Sequence, residues 1–483
     1  MKLKAVLKNI PFELLQGSLD REINDICYDS RKIKKGSAFI ALVGANSDGH
    51  DYIAMAIEKG ASVIFLEKDM NLDSDVTIIK LDNTRRTLSL LSINFFNNPI
   101  QKLVAIAITG TKGKTTTAWM IKNILEEAGQ KVGIIGTLGV FYDNIHYELV
   151  NTTPESYDLN GYLREMVDNG INYVVIEVSS QALRVGRVEG LEFDYGIFTN
   201  LTRDHIGKNE HLNMKDYIYS KSLLFKQCKN GLFNIDDKYY KKMIEKAKCK
   251  IYTFGCDSKA NLVINQVDLT RGEAFMGIEL FTSGIIKDNF MINTPGYFSA
   301  YNALGAILVC HLLGVSIFDI KAALKKVAVK GRVEILPEFK EFNVIIDYAH
   351  NGLSLKSILL TMREYKPNRI IALFGCGGNR SIKRRSDMGE ISGKYADLTI
   401  ITEDNSRWED VNAIMDDIES GIKKTSGKYI RIADRTEAIR YALENAYDGD
   451  IILLLGKGHE TYQEKNGVRY HYDEREVIKQ IIS

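Results

Sequence analysis

Residues Leu103 to Leu125, LVAIAITGTKGKTTTAWMIKNIL, restrict what this 483-residue chain can fold into more than any other stretch. An unbroken apolar run, Leu103 to Ile108, ends at Thr109-Gly110. The loop Gly110-Thr111-Lys112-Gly113-Lys114-Thr115-Thr116 follows, and then Ala118, Ile121, Ile124 and Leu125 recur at helical spacing. Buried strand, glycine-rich turn and helix start, in that order, form the setting of a phosphate-binding loop. Gly110 and Gly113 let the backbone curl so that its N–H groups converge on an anion, and the helix start adds partial positive charge. Lys114 reaches the outer phosphates and the Thr115 hydroxyl is placed to ligate Mg²⁺. The loop is shorter than the usual GxxxxGKS/T. An ordinary strand–turn–helix of an α/β sheet is the plain alternative, but glycine, lysine and three threonines in this setting favour a nucleotide.

The chain is too long for one ordinary domain, and two or three are expected. Hydrophobic residues make up 45% and charged residues 26%, the balance of a soluble globular protein with substantial cores. A net charge of +1 gives no general electrostatic case for nucleic acid or an anionic membrane. Six cysteines are scattered without a CxxC pair, which argues against a zinc ribbon or disulfide framework and fits a reducing cytosol. Pro11 and Glu13 interrupt any apolar leader. No Asp, Glu, Lys or Arg occurs between Asn289 and Phe318, yet Asn293, Pro295, Asn302 and His311 lie inside that segment. It reads as a buried helix from Tyr297 to Leu313 rather than a membrane span.

Along the chain, Ser37 to Val43 and Ala61 to Leu66 read as strands and Asp51 to Lys59 as a helix. The turn-rich Asn97-Asn98-Pro99 sets a first boundary at residue 99. Strands at Lys131–Ile135, Tyr173–Val178 and Tyr195–Thr199 then alternate with helices at 159–168 and 215–225, arguing for a mostly parallel sheet covered on both faces. A second boundary falls at Lys330-Gly331-Arg332, after a helix at 317–327. Beyond it, strand candidates Val344–Ile346, Ile370–Phe374, Leu398–Ile401 and Ile451–Leu455 alternate with helices at 353–364, 411–424 and 435–445, a Rossmann-like unit. The expected fold is therefore α/β, with a small N-terminal domain (1–99), a central ATPase-type domain (100–330) and a C-terminal domain (331–483).

In open α/β sheets ligands collect beyond the carboxyl ends of the strands, and the unusual polar clusters fall there. Glu177 closes the strand VVIEVSS beside Ser179 and Ser180, where a metal site facing the phosphate loop needs a carboxylate. Asp204-His205 follows the next strand, and a helix downstream carries Lys221. In the last third, Asp347–His350, Gly377–Arg380 with Arg384-Arg385, Asp404–Arg407 and Gly456–Glu460 follow four successive strands. That composite suits a charged substrate facing ATP.

These residues resemble the Mur ligases, the ATP-dependent amino-acid ligases of peptidoglycan precursor synthesis, and within them the tripeptide synthetases. The similarity runs from Tyr28-Asp29-Ser30-Arg31-Lys32 through the loop 110–116, Asn151-Thr152-Thr153-Pro154-Glu155, Glu177–Ser180, Asp204-His205, Asn302, Gly331-Arg332, Asp347–His350 and Asp404–Arg407 to Gly456–Glu460. The resemblance implies that Ser30 contacts the uridine nucleotide of a UDP-muramoyl dipeptide. It implies that Asn151, Thr152, Thr153, Ser179 and Arg187 hold the muramoyl dipeptide. Thr115 and Glu177 would bind one Mg²⁺, and His205 with Lys221 a second; in the family this lysine is carbamylated by CO₂, giving a carboxylate-like oxygen ligand. Lys114, Lys221, His205 and Glu177 form the implied catalytic set. Asn302, Arg332, Asp347 and His350 would frame ATP beside the loop, while Arg385, Asp404, Asn405, Ser406, Arg407, Gly456 and Glu460 hold the incoming amino acid. The implied reaction activates the terminal carboxylate of the dipeptide as an acyl phosphate, which the amine then attacks.

Relatives that add meso-diaminopimelate mostly carry Asp-Asn-Pro-Arg where this chain has Asp404-Asn405-Ser406-Arg407. A guanidinium fork at Arg407 suits the second carboxylate of diaminopimelate, which lysine lacks. Gln181 and the segment Asp204-His205-Ile206-Gly207 with Glu210-His211 instead resemble the lysine-adding branch, and Lys221 stands two residues farther from His205 than in many relatives. Diaminopimelate is the favoured substrate, with L-lysine the alternative; a folylpolyglutamate-type ligase and a non-catalytic Mur-like subunit are weaker ones. The implied partners are small molecules, not nucleic acid or membrane, and the expected protein is a cytoplasmic monomer that closes around its substrates.

Overall fold

The computed structural model describes residues 1–44, 47–70, 75–204, 206–207, 210–272 and 275–483. Contacts group them into two units, residues 1–263 with 304–320, and residues 264–303 with 321–483.

The first unit contains two sheets. The N-terminal sheet orders its strands Glu13–Gln16, Thr77–Lys80, Val63–Leu66, Ala38–Ile40, Ile26–Cys27, all parallel except the first. The second places Val104–Thr109 between Phe193–Phe198 and Tyr173–Glu177, with Cys228–Asn234 and Lys250–Gly255 on one side and Val132–Gly136 on the other, all parallel. Two antiparallel strands, Gly139–Tyr142 and Ile145–Tyr147, extend it. Val104–Thr109 is buried along almost its whole length, as a strand covered on both faces must be, so an apolar run with no alternation is the pattern it needs. The helix Lys114–Glu127 leaves its C-terminal end and buries Ala118, Ile121, Ile124 and Leu125, the four positions the spacing selects.

The second unit holds a sheet ordered Glu334–Leu336, Asn343–Asp347, Ile451–Leu455, Ile370–Phe374, Leu398–Ile401, Tyr429–Arg431, parallel except for the first strand. Its central strands Ile370–Phe374 and Ile451–Leu455 are wholly buried. The α/β class and the parallel sheets read from the sequence are thus present. The helix expected from Tyr297 is Tyr297–Leu312, and among the described residues no helix is long and apolar enough to cross a membrane.

Several elements escaped the periodicity reading. The helix Ile382–Tyr395 is polar for most of its length, and its Gly389 meets Val411–Ile422 so closely that a Cβ would lie 2.0 Å from the Ile418 carbonyl. Small residues, not an apolar stripe, make that contact. The strands Leu262–Gly272, Phe275–Gly284 and Asn289–Ile292 were also missed, and the last two pair antiparallel, Ile278 opposite Ile292. The expected helix at 215–225 is Met214–Ser222, capped by the Asn213 side chain, followed by a 3₁₀ turn, Leu223–Lys226.

Candidate active site

The loop at the end of Val104–Thr109 has the conformation its glycines permit. Gly113 is left-handed (φ 85°) and precedes the helix Lys114–Glu127. At Gly110 (φ 156°) any Cβ would lie 1.9 Å from the Thr199 hydroxyl, so only glycine fits. Lys112 is fixed from the neighbouring strand end: its N–H donates to Asn200 Oδ1 at 3.0 Å, and its carbonyl accepts from Thr199 Oγ1 at 2.8 Å. Thr111 Oγ1 lies 3.0 Å from the Tyr217 hydroxyl. Lys114 Nζ folds over the loop, donating to the carbonyls of Gly110 and Thr111 at 2.9 and 3.2 Å. Thr116, the last loop residue, is buried on the first turn of the helix.

Glu177 is buried at the end of its strand and gathers this region. Thr115 Oγ1 donates to its Oε2 at 2.9 Å, Thr137 donates through Oγ1 and N at 3.1 and 3.0 Å, and the Glu177 carbonyl accepts from Thr153 Oγ1 at 2.8 Å. Thr153 also accepts from the Ser179 N–H at 3.0 Å, and Thr152 lies 3.2 Å from Thr137 through their hydroxyls. Arg187 donates to the Thr153 carbonyl at 2.9 Å and pairs at 2.8 Å with Glu155, which Arg85 also binds. One network therefore runs from the phosphate loop through Glu177 to Thr152, Thr153, Ser179 and Arg187. Hydroxyl and carboxylate oxygens converging at Thr115 and Glu177 are the hard donors that Mg²⁺ takes. Asn151 is exposed, and Ser30 is buried in a 3₁₀ turn, Ser30–Lys32, of the N-terminal sheet region.

Lys221 is 2% exposed, with Nζ donating to the Gly110 carbonyl at 2.8 Å and lying 4.8 Å from the Tyr217 ring centre. Burial, reinforced by the Lys114 ammonium, holds its amine well below the usual lysine range, which favours the neutral form. It borders a cavity of about 270 Å³ shared with Gly110, Lys114, Ser179, Ser180, Gln181, Glu210 and His211. His211 was not singled out as a site residue. It is buried, its ring bonds Ser180 Oγ at 2.9 Å and Asp216 at 3.3 Å, and burial lowers its pKa, which keeps it neutral. The sequence marked Glu210-His211 only as a point of resemblance to the lysine-adding branch. His205, expected to be a metal ligand, lies outside the described residues.

A second cluster forms at the strand ends of the other unit. Asp404, Asn405 and Ser406 are buried. The Asn405 amide donates to Glu460 Oε2 at 2.9 Å, and Gly456 donates to the Asp347 carbonyl at 3.1 Å. Burial, with Asp404 nearby, raises the Glu460 carboxyl above the usual range. Arg407 (φ 54°) donates to the Gly378 carbonyl at 2.7 Å and lies 3.8 Å from Glu464. Its backbone is held against the hairpin Tyr462–Lys465/Val468–His471, Arg407 N bonding the Glu464 carbonyl at 3.0 Å. Arg385 is 2% exposed and commits its guanidinium to Glu409 and Asp417 at 2.8 and 2.9 Å. Arg380 and Arg384 border the same small cavity as Arg385, Asp404 and His350.

Of the residues expected to frame ATP in this unit, Asp347 accepts from the N–H groups of Val333 and Ala349, both at 2.8 Å, and Arg332 stacks 5.0 Å from the Tyr348 ring. His350 bonds the Tyr348 carbonyl, and Asn302 is buried on the helix Tyr297–Leu312. His459, from the Gly456–Glu460 cluster, joins this group 4.8 Å from Tyr348, its imidazole lowered to about 3 by burial and by Arg332 and Arg475.

Three family models match the chain: Mur ligase middle domain over residues 108–310, Mur ligase, glutamate ligase domain over 331–458, and Mur ligase family, catalytic domain over 22–93. A protein of Clostridium tetani named UDP-N-acetylmuramoyl-L-alanyl-D-glutamate--2,6-diaminopimelate ligase is 42% identical, the alignment covering 100% of this chain and 99% of that one. The Clostridium perfringens protein of the same name is 39% identical with the same coverage. A solved structure of a ligase of that name superposes with a TM-score of 0.73 at 26% identity, covering 100% of this chain and 98% of its own.

Proposed function

The chain belongs to the Mur ligase family, and on that premise we propose that it joins meso-diaminopimelate to the terminal carboxylate of UDP-N-acetylmuramoyl-L-alanyl-D-glutamate with cleavage of ATP. The observation that carries this reading is the network from Thr115 through Glu177 to Thr153 and Arg187. It couples a phosphate loop to the residues assigned to the dipeptide, so phosphoryl donor and carboxylate acceptor meet there. Full-length relatives named for diaminopimelate favour that amino acid over L-lysine.

In this mechanism the loop N–H groups and Lys114 hold the outer phosphates and offset the charge that develops as the dipeptide carboxylate attacks the γ-phosphorus and ADP departs. Thr115 and Glu177 would hold Mg²⁺, which would supply neutralisation of phosphate charge there. Arg187 and Ser179 orient the dipeptide. The resulting acyl phosphate is attacked by the amine; the new C–N bond displaces phosphate, and the amine gives up a proton. No side chain forms a covalent bond to either substrate during ligation. Lys221, a neutral buried amine, adds to the carbon of CO₂ and releases a proton, becoming an anionic oxygen ligand; His205 is its assigned partner. Asn302, Arg332, Asp347 and His350 are assigned to ATP, Ser30 and Asn151 to the UDP substrate, and Arg385, Asp404 to Arg407, Gly456 and Glu460 to diaminopimelate. The labour divides at residues 99 and 330, in a cytoplasmic, monomeric enzyme.

An amino-acid panel tests the reading. With ATP and the UDP-muramoyl dipeptide, phosphate release should be faster with meso-diaminopimelate than with L-lysine. Preference for L-lysine would overturn the role given to Arg407.

A further inference from the structure

The amino-acid cluster contains a buried cation to which the mechanism gives no role. Lys457 is fully buried, at 0% exposure, between two strand-end loops. Its Nζ lies 3.8 Å from Asp404 Oδ1, 3.6 Å from Glu460 Oε2 and 3.3 Å from Asn405 Oδ1. The rings of Tyr462 and Tyr472 stand 5.8 Å from the same ammonium and wall it from water. Its three polar neighbours are residues assigned to the incoming amino acid, and they are tied to one another by the Asn405–Glu460 bond.

A buried ammonium among carboxylates has two consequences. It fixes their positions, because each oxygen gains by facing the cation in a site of low dielectric. It also offsets the mutual repulsion of the two carboxylates, which share the one ammonium. We propose that Lys457 is a positioning residue that holds Asp404, Asn405 and Glu460 in the arrangement that meets the incoming diamino acid. Without Lys457 the two carboxylates would lose their shared partner and their repulsion would change the geometry they offer to the amino acid. The inference rests on the amino-acid site assigned above.

The test is steady-state kinetics of the full chain with all three substrates, alongside thermal melting. In Lys457→Met, which keeps the length and loses the charge, KM for diaminopimelate should rise about tenfold or more. KM for ATP and for the UDP-muramoyl dipeptide should stay within about twofold, the range of a neutral change. Lys457→Arg, which keeps the charge, should recover part of the loss. A folded Lys457→Met enzyme with an unchanged KM for diaminopimelate overturns the proposal, as does an equal rise in all three constants. If Lys457→Met does not fold, Lys457→Gln, which also loses the charge, is read in its place: a raised KM confined to diaminopimelate supports the role, and an unchanged one overturns it. Failure of both variants to fold assigns Lys457 to stability only and also overturns it. Asp404→Asn separates the premises. If it leaves KM for diaminopimelate unchanged, the site assignment itself falls; if it raises KM while Lys457→Met does not, only the role of Lys457 falls.

Discussion

Lys221 carries the sharpest expectation at the scale of single residues. Burial at 2% exposure, with a second ammonium nearby, pushes the Lys221 amine down and favours its neutral form, which is the form suited to CO₂ uptake. Lys221→Ala should lose ligation by about a hundredfold or more, the usual range for removing charge-stabilising groups from an active site. Added short carboxylates should restore part of it. A variant as active as the parent would count against the carbamate. Glu460 gives a pH dependence. Its carboxyl is raised by burial and by Asp404, so it takes up a proton earlier than an ordinary glutamate as pH falls. KM for diaminopimelate should therefore rise on acidification while the KM for ATP stays flat, which pH-dependent kinetics would reveal. The phosphate loop, Glu177 and Lys221 were legible one by one because strand ends and loop glycines mark them. His211 and Lys457 were not, because a single histidine or lysine acquires meaning only from what surrounds it.

The elements behind the amino-acid cluster are fixed by a buried ion pair. Arg435, fully buried, bonds Glu474 at 2.8 Å and donates to the carbonyls of Glu403 and Leu455 at 3.1 and 2.9 Å. Those two residues immediately precede Asp404 and Gly456, so the helix Glu474–Ile482 is linked to the strand ends that carry the site. Arg435→Ala leaves Glu474 as an uncompensated buried charge and should cost about 3–5 kcal/mol, whereas Arg435→Met with Glu474→Met should recover most of it. Chemical denaturation of the three proteins measures both values. The long parallel strands were readable here because burial on both faces demands continuous apolar runs. The helix Ile382–Tyr395 was not, since its partner approaches over glycine rather than over an apolar stripe.

For the whole molecule, a ligand that binds only the folded state raises its stability by mass action. ATP with Mg²⁺ at about a hundred times its dissociation constant should add about 2.7 kcal/mol, seen as a higher melting temperature that falls back on chelation of Mg²⁺. Lys114→Ala should abolish most of that shift, because its ammonium lies over the loop that takes the phosphates. The sequence alone determined the α/β class, the glycine-rich turn between strand and helix and the order of the strand-end motifs, because each is a local pattern of polarity and backbone freedom. Tertiary structure decided which of those motifs meet. Thr153 and Glu177 are 24 positions apart in the chain, and Asn405 and Glu460 are 55 apart. No local signal encodes their distances of 2.8 and 2.9 Å. The same holds for the partners of Arg385 and Lys457: charge is written in the sequence, but what neutralises it depends on which strands become neighbours.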